Sequence, residues 1–248
     1  MRSIPFSIAI LFLSLGMRSD APPRKPLRLE MLPRVTLWAW ERREDLREAD
    51  PDQFAIAYLD QTLTIDLSVH SEPRRDAIAF PRTSTRIPVV RIETTRFAVL
   101  DEEARAQAVR AILTSAEQPG IAAIQVDFDA TLSQRAFYRS VLVDLRRQMP
   151  SSLPLSITAL ASWCSWDDWI GDLPVDEAVP MFFRMEPDRG RAPTNIDDFQ
   201  IREPLCRTSV GISTRERWPA AIREKRIYVF PDKGWRNESL ARLEERLR

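Results

Sequence analysis

Ala123-Ile124-Gln125-Val126-Asp127-Phe128-Asp129 alternates apolar and polar residues up to a doubly acidic end. Side chains of a strand point to opposite faces in turn, so Gln125, Asp127 and Asp129 share one face and Ile124, Val126 and Phe128 the other. A parallel strand packed by helices on both faces is apolar throughout, so this one faces two environments. Four further stretches divide the same way. They set Thr36, Trp38 and Trp40 against Val35, Leu37 and Ala39, and Arg91 and Glu93 against Val90 and Ile92. Ser156 and Thr158 oppose Leu155 and Ile157, and Ser209, Gly211 and Ser213 oppose Val210 and Ile212. The simplest arrangement puts the aliphatic face against helices and the polar face into the lumen of a barrel, where carboxylates must be paired, hydrated or functional.

Working outward, eight runs read as core strands: Val35–Trp40, Phe54–Leu59, Val89–Glu93, Ala123–Asp129, Leu155–Leu160, Ala178–Arg184, Ser209–Ser213 and Ile227–Phe230. Helical periodicity fills several intervals. Asp101 is placed to cap a helix with a Val109, Ile112, Leu113 and Ala116 stripe, and Ser133 to cap one that turns Phe137, Val141 and Leu145 inward. Leu240, Leu243 and Leu247 mark a final helix. Strands alternating with helices predict an α/β fold, a (β/α)8 TIM-like barrel; an open doubly wound sheet is the alternative, since periodicity does not show closure. One unit departs. After Phe54–Leu59, Asp60-Gln61 and then Leu63–Leu67 read as a β-hairpin, so the second helix is expected to be replaced or displaced into residues 68–86.

The chain has 248 residues, enough for one barrel domain, assigned to residues 34–248. Before it, Met1-Arg2-Ser3 and the apolar run from Ile4 to Gly16 match a signal peptide or N-terminal anchor over residues 1–21, and Pro-rich residues 22–33 read as a linker. The apolar run is short for a spanning helix. An exported, periplasmic or extracellular protein is therefore expected, touching a membrane only through an uncleaved N-terminal segment. Lys+Arg and Asp+Glu both number 36, so no basic excess recommends a nucleic acid as partner. Cys164 and Cys206 fall after one predicted strand and before another, at opposite barrel ends on this map, which argues against a bridge.

The C-terminal strand ends, where barrel enzymes keep their functional residues, carry Trp40, Glu41, Glu93, Asp127, Asp129 and Arg184. Glycoside hydrolysis needs a protonated acid for the leaving group and a base, nucleophile or stabiliser opposite it. Asp129 is the candidate acid, Asp127 its electrostatic partner and Glu93 a second carboxylate from the neighbouring strand. Trp38, Trp40, Trp163, Trp166 and Trp169 offer flat surfaces for sugar rings, although tryptophans are more often core or loop anchors, with Glu41, Gln125 and Arg184 as further ligand contacts. The same carboxylates also admit a structural reading, an interior salt-bridge network closed by Arg91 or Arg184.

Absences narrow the chemistry. One histidine, His70, leaves little material for a Ser-His-Asp triad or a multi-histidine zinc site. Six glycines without a phosphate-binding loop argue against a dinucleotide, so no cofactor is expected. Asp167-Asp168 and Asp197-Asp198 supply oxygens for a hard cation, although adjacent acids are usually solvated loop residues. The expected partner is a glycan or other small-molecule ligand.

Three segments together resemble an uncharacterised bacterial family known only as a domain of unknown function, DUF3142. They are Leu37-Trp38-Ala39-Trp40-Glu41-Arg42, Ile124–Ala130, and Leu155–Cys164 continued by Leu173–Met181. The resemblance implies a shared fold and carries no activity. A more distant likeness is to chitinase-type glycoside hydrolases, whose fourth strand ends in an alternating acidic motif with a catalytic glutamate last. Gln125, Asp127 and Asp129 look like those positions, and Met181 is similar too. Here Asp129 replaces the glutamate, and Phe182 or Phe183 stands where a tyrosine is expected. The resemblance implies a glycan-active barrel, while the two departures count against a substrate-assisted mechanism. A glycan-binding barrel without catalysis and an exported scaffold remain the other readings.

Overall fold

The computed structural model describes residues 29–167, 169–183, 200–218, 222, 224–235 and 240–247. Its strands are β1 (Val35–Ala39), β2 (Glu44–Asp45), β3 (Phe54–Ile65), β4 (Val69–Pro73), β5 (Ile78–Ala79), β6 (Thr85–Thr94), β7 (Ile124–Asp127), β8 (Leu155–Leu160), β9 (Glu177–Met181), β10 (Ser209–Ser213) and β11 (Arg226–Phe230). The helices are α1 (Glu102–Ala116), α2 (Arg135–Gln148), α3 (Ala161–Ser165) and α4 (Leu240–Leu247). Eight strands run in the order β1-β11-β10-β9-β8-β7-β6-β3, every neighbouring pair parallel, and β3 pairs back onto β1. The sheet is closed. It is the expected TIM-like barrel, and the open-sheet alternative is excluded.

The two faces sort as the alternation predicts. Val35, Leu37, Ile56, Val210, Ile212 and Val229 lie in one outer cluster, and Val90, Ile92, Ile124, Val126, Leu155 and Ile157 pack with α1 and α2 in another. A third cluster is the lumen: Trp38, Ala55, Ala57, Leu59, Ile87, Val89, Ala123, Val179, Tyr228 and Phe230. Its floor reaches into the expected linker, because Leu32 is buried there and the Leu29 carbonyl accepts a hydrogen bond from Arg226. The last linker residues are thus part of the barrel body. The expected signal peptide or anchor, residues 1–21, lies outside the described residues, and no described helix is long and apolar enough to cross a membrane.

Beneath the lumen's aromatic layer lies a closed polar network. The Trp38 indole donates to Gln125 Oε1 (2.9 Å), Gln125 Nε2 to Ser156 Oγ (3.0 Å), and Ser156 Oγ and the Tyr228 hydroxyl to Glu177 Oε1 (2.9 and 2.6 Å). Arg226 closes it by an ion pair with Glu177, whose side chain is buried. Burial and the Glu177 charge push the Tyr228 hydroxyl far above its ordinary pKa, so it remains a donor. Each buried polar group here finds a partner, which is what removing it from water requires.

A hairpin does replace the second helix, with a different register from the expected one. β3 continues past residue 60 instead of turning there, and its antiparallel partner is β4. A bulge between Leu59 and Gln61 makes this possible. It turns both Asp60 and Gln61 outward to α1, where Ser115 and Gln118 donate to Asp60 and Gln61 donates to Ser115 and the Ala111 carbonyl. Beyond the bulge Leu63 and Ile65 stay in the outer core and Thr62 and Thr64 face the mouth side. β4, β3 and the end of β6 therefore rise as an arm above the mouth.

Two local expectations are corrected. Asp101 caps α1, its carboxylate accepting from the Ala104 N–H, but Ser133 caps nothing: its hydroxyl meets that of Thr131, and the Gln134 side chain accepts the Thr131 N–H instead. Cys164 and Cys206 form a disulfide with a Cα–Cα distance of 5.8 Å. The strand map misplaced them because α3 folds down from the end of β8 and the turn Pro204–Cys206 precedes β10, and both lie against β9. The Arg202 and Glu203 N–H groups also bond the Cys164 carbonyl.

Candidate functional site at the barrel mouth

Asp127 ends β7, and its in-register neighbour on β6 is Arg91. The pairing places an arginine beside a carboxylate whose side chain is 2% exposed. Arg91 Nη1 donates to Asp127 Oδ2 (2.7 Å), and Thr158 Oγ1 on β8 donates to Asp127 Oδ1 (2.6 Å). Both oxygens are engaged, and Asp127 has no open edge to offer a ligand.

Arg91 also serves two other acids. Its Nε donates to Glu93 Oε1 (2.8 Å), and its Nη2 lies 3.8 Å from Asp129 Oδ2. Asp127, Glu93 and its cation–π neighbour Trp40 hold the guanidinium in place, and the carboxylates keep it charged despite partial burial. The salt-bridge network that the sequence left open is present, with Arg91 at its centre.

Asp129 differs from its neighbours. Its side chain is half-exposed, just past the strand end at a tight turn in which the Ala130 N–H bonds the Phe128 carbonyl (2.8 Å). Desolvation first, and then the charges of Asp127 and Glu93, raise its proton affinity, with only Arg91 opposing them. An accessible carboxyl that holds its proton above the ordinary aspartate range can deliver that proton to a bound molecule.

A cleft of about 390 Å³ opens beside Arg91 and Glu93, which line it with Trp40, Glu41, Leu59, Thr62, Thr64, Glu72, Pro73 and Arg75; Asp127 and Asp129 are not part of its lining and reach it through Arg91. The rim is held by Glu41, whose Oε1 accepts the N–H groups of Arg75 and Asp76 (3.1 and 2.9 Å). Under Trp40 the lumen is sealed by aromatic rings: Trp38 lies 4.2 Å from Trp40 and 5.1 Å from Phe230, and Phe183 4.6 Å from Phe230. Of the two phenylalanines in the sixth unit, Phe183 packs against the lumen and Phe182 in the outer core.

The sequence-predicted site is therefore divided. Glu93, Trp40 and Glu41 line the cleft, and Arg91 joins Glu93 to Asp127 and Asp129. Trp38 and Gln125 do not offer a ligand surface: both are fully buried and bonded to each other below Trp40. Trp163 is also corrected, being buried in the outer cluster edge-on to Trp169. Arg184 lies outside the described residues. Two residues that sequence reasoning passed over belong here. Thr158 was recognised only as lumen-facing, and Thr62 became mouth-facing through a bulge that no motif announces.

Among the described residues no group of three or more His, Cys, Asp or Glu side chains is placed to hold a metal ion. Asp167 is paired with Arg135, and Asp168, Asp197 and Asp198 lie outside the described residues.

The chain is thus a closed α/β barrel whose mouth gathers Glu93, Asp127 and Asp129 around Arg91. Residues 82–180 match the model of the family described as Domain of unknown function (DUF3142), the family that the sequence segments resemble. The match runs from just before β6 into β9 and includes Arg91, Glu93, Asp127, Asp129 and Thr158. Among solved structures, the spore cortex-lytic enzyme SleL of Bacillus cereus is similar over 72% of this chain and 50% of that chain, at 17% identity and a TM-score of 0.49. This chain thus spans about half the length of that structure. No curated protein matches.

Proposed function

We propose that the protein is an exported glycoside hydrolase-like barrel that acts on a glycan by carboxylate acid/base chemistry. The observation that carries this reading is the unequal treatment of the mouth acids: Asp127 is buried and saturated by donors, while Asp129 is accessible and its proton affinity raised. Asp129 donates the proton to the leaving-group oxygen. Asp127 is a positioning residue that fixes Arg91 and raises the Asp129 proton affinity. Glu93, half-exposed beside the cleft, is the second carboxylate available to the reaction. Trp40 and Glu41 contact the substrate. Export is supported by the apolar leader of residues 1–21 and by the Cys164–Cys206 bridge, which suits an oxidising compartment such as the periplasm or the exterior.

A hydrolysis screen over glycans, run beside Asp129→Asn, tests the reading, which fails if the variant cleaves as fast as the parent. One observation favours a second reading, glycan binding without catalysis: Arg91 engages all three mouth carboxylates, as a structural network would. Saturable glycan binding with no turnover would select it.

A further inference from the structure

The arm above the mouth treats its two faces differently. On the α1 side every polar group of β3 and β4 is closed into hydrogen bonds: Asp60 with Ser115 and Gln118, and Gln61 with Ser115, Ala111 and Ser71. On the other face, directly paired residues lie side by side. Thr62 pairs with Glu72 on β4 and Arg91 on β6, which in turn pairs with Asp127; Thr64 pairs with His70 and Glu93. These residues form two rows that lead away from the acids. The hydroxyls of Thr62 and Thr64 bond no described residue, Glu93 uses only Oε1, and His70 uses only Nε2, 3.0 Å from Ser68 Oγ. The surface is polar, carried on the paired strands β4, β3 and β6, and continuous with the cleft, which Thr62, Thr64 and Glu72 line.

Resting on the glycan reading above, we propose that this arm face is a distal subsite that carries the substrate chain away from the mouth, with His70 as its outermost contact. Three strand spacings of roughly 4.8 Å separate β7 from β4, about 14 Å in all and longer than one sugar ring. Hydroxyls, an imidazole and a free carboxylate oxygen are suited to exchanging hydrogen bonds with sugar hydroxyls. The occupant is therefore an oligosaccharide rather than a monosaccharide, and the hairpin that displaces the second helix is what lengthens the site.

His70 is the chain's only histidine, so its imidazole gives a single set of resonances. The test titrates the full chain carrying Asp129→Asn with N-acetylglucosamine and glucose oligomers, from monosaccharide to hexasaccharide, and follows that signal by NMR. The expected result is a shift that grows from disaccharide to hexasaccharide, no shift with monosaccharide, and hexasaccharide affinity weakened roughly 3- to 10-fold by His70→Ala or Thr64→Val, the loss of about one hydrogen bond. Oligomers that bind and are cleaved by the parent while His70 stays silent would overturn the arm subsite and leave the catalytic reading standing. A His70 shift without hydrolysis by the parent would support the subsite and overturn catalysis. Absence of binding by every oligomer would overturn both.

Discussion

Replacing Arg91 by Gln probes the mouth at its centre. The substitution removes a charge-assisted bond of 2.7 Å to a carboxylate that is 2% exposed, leaving Asp127 with the Thr158 hydroxyl alone. Removing one member of a buried pair costs about 3–5 kcal/mol, because the remaining charge is stranded. Arg91 itself is one-quarter exposed, which lets water reach the gap and sets the expectation at the lower end, about 3 kcal/mol. Its bond to half-exposed Glu93 adds no more than about 1 kcal/mol. With a urea m-value of about 3 kcal/mol/M, the midpoint falls by about 1 M. Equilibrium urea unfolding of Arg91→Gln, Asp127→Asn and the double variant measures this directly. Because Asp127→Asn removes the stranded charge, the double variant is expected to recover part of the loss, with a coupling of 1 kcal/mol or more. A loss below about 0.5 kcal/mol for Arg91→Gln, or strict additivity, would refute the claim that Arg91 holds Asp127.

Asp129→Asn is expected to leave stability at neutral pH unchanged or raised. A carboxyl whose folded pKa is raised stabilises the fold below the ordinary aspartate range and loses that contribution as pH climbs through its folded value, so thermal midpoints of parent and variant should diverge with rising pH and meet in acid. Glu177→Gln at the opposite barrel end should cost about 3–5 kcal/mol in chemical unfolding, since it strands the more deeply buried Arg226, while leaving any turnover in place, because its partners Arg226, Tyr228 and Ser156 lie below the aromatic seal. Loss of turnover alone would contradict that division. Reducing the Cys164–Cys206 bridge, which spans 42 residues, removes about 4 kcal/mol on chain-entropy grounds; thermal unfolding with and without reductant measures it, and equal midpoints would show that the bridge contributes little. Gly211→Ala would bring a Cβ within 3.1 Å of the Phe230 ring and 3.3 Å of the Pro180 carbonyl, a crowding expected to cost about 1–3 kcal/mol in the same assay.

Period-two alternation carried most of the fold. A closed barrel has one face toward helices and one toward a lumen, and the strands from Thr36 to Ser213 record that difference residue by residue. Height within the lumen is not recorded. Trp38 and Trp40, or Gln125 and Asp127, look alike in alternation, yet Trp38 and Gln125 are fully buried and bonded to each other, while Trp40 lines the cleft and Asp127 holds Arg91. The β3 bulge was invisible because it depends on Asp60 and Gln61 both finding partners on α1, a contact between distant segments. The disulfide was misjudged for a related reason: the strand map orders the strand ends, but not that α3 and the Pro204–Cys206 turn both pack against β9. His70 counted only as the lone histidine because β4 has no hydrophobic signature that would mark it as a strand, with Val69 its one apolar residue packed against the core.

The proposed chemistry depends on one proton, that of Asp129. Hydrolysis of oligosaccharides by the parent and by Asp129→Asn, followed from acid to alkaline pH, tests it most directly. Turnover by the parent is expected to decline as pH rises through a value above the ordinary aspartate range, and the variant to lose roughly 10²- to 10⁴-fold across the profile. Turnover by Asp129→Asn equal to that of the parent would contradict it.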